Sequence, residues 1–285
     1  MRISLRRAES RGRRRRIGLW AGIGLFSLIL VLCVFVPVIS PHGSNELVGR
    51  PYEHPSITYP FGTDGLGRDL FVRVWAGGRL DLAIGLIVVS FSFLIGTLIG
   101  VATGASHRRW LDSLVMRFVD ALIAFPFLVL VLALIVVVGR DRSFWVLPAG
   151  APAIIVAILL VDWSIYSRLA RVQTLSLRSQ DFVVAGQMIG YPQRRIVRRH
   201  LLPGVMRVTA AYAVADLIIV IVVAASLSFL GAGVQAPAAE WGSIMYEGRT
   251  SLGTAWWVSV IPGIVLATTG VAVGLIADAV LNVER

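Results

Sequence analysis

The sequence contains no lysine: all 27 of its basic residues are arginine. That absence excludes two chemistries. A phosphate-binding loop needs a lysine to reach the terminal phosphates of ATP, and Schiff-base catalysis needs a lysine amine. An ATP-driven process would therefore place its hydrolysis, with ATP and Mg, on a partner chain. Cysteine is scarce as well. Cys33 is the one cysteine among 285 residues, so no disulfide can form within the chain. Its place in an apolar run fits a small buried hydrophobe. Charge is thin: 15% of residues are charged and 56% hydrophobic, where a soluble domain carries about 25% charged residues. So little polar surface cannot cover a water-facing core, and the solvent for much of the chain is a bilayer.

Against these absences stand six apolar stretches, at 17–39, 80–105, 111–138, 147–165, 205–231 and 256–281. A membrane helix takes ~20 residues at about 1.5 Å each. The fourth stretch is the shortest and is expected to extend toward Arg171 by tilting or by protruding into water. Arginines followed by an apolar run resemble a signal peptide, but the run is long, lacks a small-residue cleavage pattern and precedes further spans. An uncleaved helix is the simpler expectation.

Arginine sets the orientation. Arg2, Arg6, Arg7, Arg11, Arg13, Arg14, Arg15 and Arg16 precede the first stretch. Arg108 and Arg109 lie in the second connection. The fourth carries Arg168, Arg171, Arg178, Arg194, Arg195, Arg198, Arg199 and Arg207. The other connections mix their arginines with acids. Six spans with this bias place both termini in the cytoplasm. The net charge of +11 is thus read as topology and membrane lipid, with no nucleic-acid partner.

Two connections are long. Segment 40–79 is rich in proline and glycine and reads as an external cap of ordered turns. Segment 166–206 carries apolar residues at helical spacing, broken at Gly190, Tyr191 and Pro192, where proline removes a donor. Residues 178–200 therefore form an amphipathic hairpin too polar to enter lipid. Its apolar face either docks into a groove of another protein, folds under its own helices, or lies on anionic lipid. Pattern alone leaves these open.

The hairpin resembles the EAA loop of ABC importer permeases: Ala185, Gly190, Leu202 and Pro203 fall on that pattern, while Val184, Gly186 and His200 depart from it. The resemblance implies a coupling helix seated in an ATP-binding subunit, with Asp181, Val184, Ala185, Gly186, Met188, Gly190, Tyr191, Pro192 and Arg194 as its contact residues. Tyr59-Pro-Phe-Gly-Thr-Asp-Gly-Leu-Gly-Arg-Asp69 resembles the signature of dipeptide, oligopeptide and nickel permeases, with Tyr59 in place of histidine. Phe61, Gly62, Thr63, Asp64, Leu66, Gly67, Arg68 and Asp69 form that cap motif. Gly62, Gly65 and Gly67 permit positive-φ turns that Asp64, Arg68 and Asp69 can bridge. A rigid cap without solute contact is the plainer reading of it. Arg117 to Asp120 with Ala124-Phe-Pro126, Trp163-x-x-Tyr166-x-Arg168, Ala225-Ser-Leu-Ser-Phe-Leu-Gly231 and Trp241-Gly-Ser-Ile-Met are similar to further family motifs. The likeness runs over about 18–283 and is closest to the C-type member of a permease pair.

That resemblance implies an all-α transmembrane, six-helix type I importer permease. Its parts would be a cytoplasmic basic segment 1–16, a first helix 17–39, an external cap 40–79, a five-helix core 80–281 that includes the coupling hairpin, and a tail 282–285. It also implies a B-type permease chain, two ATP-binding subunits and an extracellular or periplasmic solute-binding protein as partners. The solute would be a peptide, with nickel or haem as alternatives within the family.

Ionisable residues inside apolar spans are functional candidates by default. Asp120 stands at i,i+3 from Arg117, the spacing of an ion pair. Asp162 and Asp278 fall toward cytoplasmic ends, at expected wet or arginine-paired positions. Asp216 is nearest a midplane and either faces the translocation path or packs within the bundle, and Ser226 and Ser228 join it as path candidates. Trp20, Trp110, Trp145, Trp241, Trp256 and Trp257 are expected in an interfacial belt. The four histidines have no metal-ligand spacing. With no lysine and no histidine within a span, an intramembrane hydrolase lacks its base. An ion-driven transporter working alone lacks evident repeats and leaves the hairpin without a task.

Overall fold

A computed structural model of the chain describes residues 2–106, 109–139 and 141–281, with backbone alone at 2–15 and 109. The expected tail 282–285 and Arg108 lie outside the described residues. The described residues form ten α-helices: α1 (Arg2–Ile39), α2 (Leu70–Ala105), α3 (Arg109–Ala124), α4 (Phe127–Val138), α5 (Ala151–Arg178), α6 (Asp181–Met188), α7 (Gln193–Ile196), α8 (Leu202–Phe229), α9 (Trp241–Gly248) and α10 (Trp257–Leu281). A π-helical turn, Val197–Leu201, joins α7 to α8.

Five segments are long and apolar enough to cross a membrane: Arg16–Ile39 of α1, then α2, α5, Gln193–Phe229 and α10. The third expected span is not one straight helix. Its halves α3 and α4 bend by 98° at their junction. The cause is Pro126, which has no N–H to continue the helix and drives Phe125 out of helical geometry. Two other helices outrun their apolar stretches. α2 starts at Leu70 rather than near 80, because Asp69 caps it: Oδ1 accepts the Phe71 N–H at 2.9 Å. α5 continues to Arg178, well past 165.

The chain divides into two compact units: 1–85 with 139–154 and 217–285, and 86–138 with 155–216. In the first, α1 packs along α10. A Cβ on Gly22 would stand 2.8 Å from the Ala272 carbonyl, so only glycine lets the two backbones approach. Pro37 lies within α1 and leaves the Cys33 carbonyl without its helical donor. Arg79 Nε fills the gap, donating to that oxygen at 2.6 Å, and its other branch reaches the Val34 carbonyl. Cys33 itself is buried, as expected of an inert hydrophobe. It belongs to a core with Leu70, Val74, Trp75, Ile221, Trp241 and Trp257. Two of the six expected belt tryptophans are thus core residues. Trp241 Nε1 donates to the Val74 carbonyl at 2.8 Å and Trp257 Nε1 to the Thr63 carbonyl at 3.3 Å. Trp20, Trp110, Trp145 and Trp256 are exposed.

In the second unit, Gly96, Gly100 and Gly104 recur at i, i+4 and i+8 on α2, bringing it against α5. A Cβ on the first two would strike the Trp163 and Ser167 carbonyls, and on Gly104 would meet Thr174 Cβ at 2.9 Å. This small-residue stripe is the membrane solution to close helix contact. Asp120 pairs with Arg168 of α5 rather than with Arg117. Arg171 grips Asp112 with both branches, at 2.6 and 2.7 Å. The rings of Phe118 and Trp163 stack beside these pairs, 6.3 Å apart.

Candidate functional site

The hairpin of the second unit is built around a helix stop. α6 ends with Gly190 at φ +82°, where the left-handed conformation suits glycine. The Tyr191 N–H donates to the Gly186 carbonyl and the Gly190 N–H to the Gln187 carbonyl, both at 3.0 Å. Those two bonds define a Schellman motif. The Tyr191 ring covers Gly186, where a Cβ would meet it at 3.5 Å. Pro192 then caps α7, accepting the Arg195 N–H at 2.8 Å. The π turn that follows ends two residues before Pro203, whose ring cannot sit over the carbonyl of residue 199 in a regular α-turn.

One face of the hairpin is anchored and the other is free. Val183, Ile196 and Leu201 form a small core with Ala105. Gly186 is buried with them, while Asp181, Val184, Ala185, Pro192 and Arg194 are exposed. At the tip, Met188 is 84% and Ile189 73% exposed, with Phe182 and Tyr191 also open. Exposed side chains this apolar form a patch of the kind that a partner or a lipid surface covers. Arg195 lies over the Tyr191 ring at 5.0 Å. Arg194, Arg195, Arg198 and Arg199 line a shallow hollow beside Pro192.

The cap of the first unit is a network of ions. Asp64 and Arg73 have no solvent exposure. Asp64 Oδ2 meets Arg68 Nε at 2.6 Å, and its Oδ1 accepts the N–H groups of Leu66 and Arg68 at 2.9 and 3.0 Å. Arg73 Nε stands 3.2 Å from the same Oδ2, an ion-pair distance without hydrogen-bond alignment. Glu247 completes the square, 2.6 Å from Arg68 and 3.3 Å from Arg73. Thr63 Oγ1 donates to the Arg50 carbonyl at 2.6 Å and accepts the Glu53 N–H at 2.8 Å. Gly62 and Gly67 have φ of +74° and +80°, and Phe61 packs on Phe71 and Trp75. Leu66 alone of the motif projects outward. Burial raises the Asp69 carboxyl above the usual carboxylate range, against the opposing pull of its backbone donors.

Two buried acids, Glu240 and Asp81, meet the start of α9. Glu240 accepts the Gly242 and Ser243 N–H groups at 3.0 and 2.7 Å, and Asp81 of α2 accepts the Trp241 N–H at 2.9 Å. Burial pushes the Glu240 carboxyl up, only partly offset by its bonds to Asp81 and those N–H groups.

Of the path candidates, Ser228 is buried and accepts the Val234 N–H at 3.2 Å. Ser226 is partly exposed and donates to the Val222 carbonyl at 2.7 Å. Asp216 is 2% exposed, and its Oδ2 accepts the Tyr166 hydroxyl at 2.8 Å. Asp162, expected at a wet or arginine-paired position, is equally buried and faces Asp216 instead. Asp278 is exposed. Sequence reasoning missed Arg73, Asp81, Glu240 and Glu247 as site residues. Acids and arginines spared from an otherwise apolar chain were the available signal.

Residues 96–282 match the family described as binding-protein-dependent transport system inner membrane component. The chain is 33% identical over 260 residues to the dipeptide transport system permease protein DppC of Bacillus subtilis, covering 90% of this chain and 78% of that one. It is 33% identical over 272 residues to the glutathione transport system permease protein GsiD of Escherichia coli O6:K15:H31, covering 94% and 86%. Among solved structures it resembles a chain of the inward-facing MetNI methionine ABC transporter, with TM-score 0.58 and 21% identity over 73% of this chain and 94% of that one. The last likeness concerns the fold.

Proposed function

The chain belongs to the family of binding-protein-dependent transport system inner membrane components, the permeases of ABC importers, and from that membership we propose that it forms half of the translocation path of an ATP-driven peptide importer. The peptide assignment is supported by relatives named for dipeptide and glutathione transport. A related B-type permease supplies the other half of the path. Two ATP-binding subunits lie on the cytoplasmic side of the bacterial inner membrane and hold ATP and Mg. A solute-binding protein delivers the peptide to the outer face, where the cap stands. Both termini are cytoplasmic.

The observation that carries this reading is the bare apolar tip of the hairpin, Met188 and Ile189, held out by a glycine stop. In the proposed mechanism α6 and its tip seat in a groove of an ATP-binding subunit. Closure of the ATPase dimer displaces the hairpin, and the attached helices rock between inward- and outward-facing arrangements. The chain makes and breaks no bonds. Its lack of lysine is in keeping with hydrolysis on the partner.

The test is a charged tip. Gly190→Asp and Ile189→Asp are expected to leave the chain inserted and the binding protein active, while solute uptake falls and ATP hydrolysis no longer responds to loaded binding protein. Uptake and stimulation equal to wild type in both variants would overturn the docking role.

A further inference from the structure

On the second arm of the hairpin, Arg194, Arg195, Arg198 and Arg199 are all exposed around the hollow beside Pro192. They stand about one turn apart in two columns, the spacing at which like charges repel. No ion pair among the described residues involves any of them. The arginines of α5 differ: Arg168 and Arg171 are paired with Asp120 and Asp112, and Arg178 donates to the Gly104 carbonyl at 2.8 Å. A bias of arginine toward one side of the membrane accounts for their presence on this arm. It does not account for unpaired guanidinium groups gathered around one hollow.

The arm cannot relieve this repulsion by moving away. Its opposite face is fixed: Ile196 is 2% exposed and Leu201 not at all, both in the core with Val183 and Ala105. Gln193 Nε2 also donates to the Ala105 carbonyl, at 3.3 Å. The charges are thus held in place before any partner arrives, which lowers the cost of binding one. Guanidinium groups are suited to carboxylates and phosphates, which they grip through paired N–H donors.

Two observations choose among anionic partners. The hollow is shallow, whereas a small-molecule site encloses most of its ligand, so its occupant is another surface. Helical side chains lean toward the N-terminus of their helix. Here that is toward Pro192 and the hairpin tip, away from the apolar length of α8, so the arginines lean away from the bilayer. Arg195 lies over the Tyr191 ring, and Tyr191 follows the exposed Met188 and Ile189 closely in the chain. The charged face is continuous with the apolar tip, and whatever covers one meets the other.

We propose that Arg194, Arg195, Arg198 and Arg199 form a second docking surface for the ATP-binding subunit, and that they take an acidic patch at the rim of the groove that seats the tip. This rests on the docking role already proposed for the tip. The two surfaces divide the work. The apolar tip loses water on docking and governs how long the subunits stay together. The exposed arginines steer their approach and fix their register.

The test uses the permease pair in discs of phosphatidylcholine, stripped of its ATP-binding subunits and given them back at low and at high sodium chloride. Association with the wild type is expected to slow on the order of tenfold at high salt. A variant combining Arg194→Gln, Arg195→Gln, Arg198→Gln and Arg199→Gln should associate at low salt as slowly as the wild type does at high salt, with dissociation changed less. The corresponding four Arg→Lys changes keep the charge and should retain the salt dependence, which separates steering from damage to the fold. Ile189→Asp, measured alongside, reads the tip by itself through faster dissociation. A wild type indifferent to salt, or a glutamine variant with the wild-type rate and salt dependence, would overturn the arginine surface while leaving the tip's role standing. A glutamine variant that loses only a response to phosphatidylglycerol in the disc would overturn it too, and would assign the arginines to lipid.

Discussion

At the scale of single residues, the cap depends on charges that only folding brings together. Asp64 and Arg68 sit in one short motif and were legible from it. Glu247 lies 179 residues from Arg68, and no local pattern joins them. Asp64→Ala leaves two buried guanidinium groups with one carboxylate to share, a loss of about 3–5 kcal/mol for a broken buried pair. The expected outcome is a marked drop in thermal stability in detergent, checked against the exposed Glu46→Ala, which should change little. Glu240 supplies a pH signature. Its carboxyl is raised in the folded chain, so the folded state binds that proton more tightly than the unfolded one. The stabilising contribution is complete below the ordinary glutamate value of about 4.3 and is lost as pH rises through the raised folded value. Melting curves across that range should show a declining stability in the wild type and a flatter one in Glu240→Gln.

At the scale of elements, the hairpin was the most legible part of the chain. Glycine, an aromatic and proline in succession announce a helix stop, and apolar residues at helical spacing announced α6. The outcome differs only in detail: the second arm is one short helix running through a π turn into α8, because Pro203 follows so closely. Gly190→Ala places a Cβ in a left-handed position, at about 1 kcal/mol, and hydrogen exchange in α6 and α7 should quicken while the spans are unaffected. The glycine stripe of α2 was not legible, since glycine in an apolar run reads equally as lipid-facing. Gly100→Leu drives a side chain into the backbone of α5. That variant should fail to accumulate in the membrane, as Western blots of membrane fractions would record. Gly274→Leu, where nothing lies within 4 Å, should accumulate normally.

At the scale of the whole molecule, apolar length located the helices that are long and apolar enough to cross a membrane among the described residues, but not their shape. A run of uniform hydropathy conceals a proline bend, and α3 and α4 part by 98° where the count of spans expected one rod. The proposed topology is open to a direct experiment. Cys33 is buried, so a cysteine placed at Ser10 becomes the reactive one. A membrane-impermeant thiol reagent should label it in inside-out vesicles and spare it in intact cells. Labelling in intact cells would invert the orientation and with it the assignment of cap and hairpin to their sides.

The packing of α1 on α10 also has a consequence for synthesis. The ribosome makes α1 before α10, yet the groove for Gly22 is formed by Ala272 and Leu275, about 250 residues further along the chain (272 − 22). At ~5–20 residues per second, α1 waits on the order of tens of seconds in lipid with its small-residue face bare. Throughout that interval it is open to capture by insertion factors, by quality-control proteases or by the wrong helix of a neighbouring nascent chain.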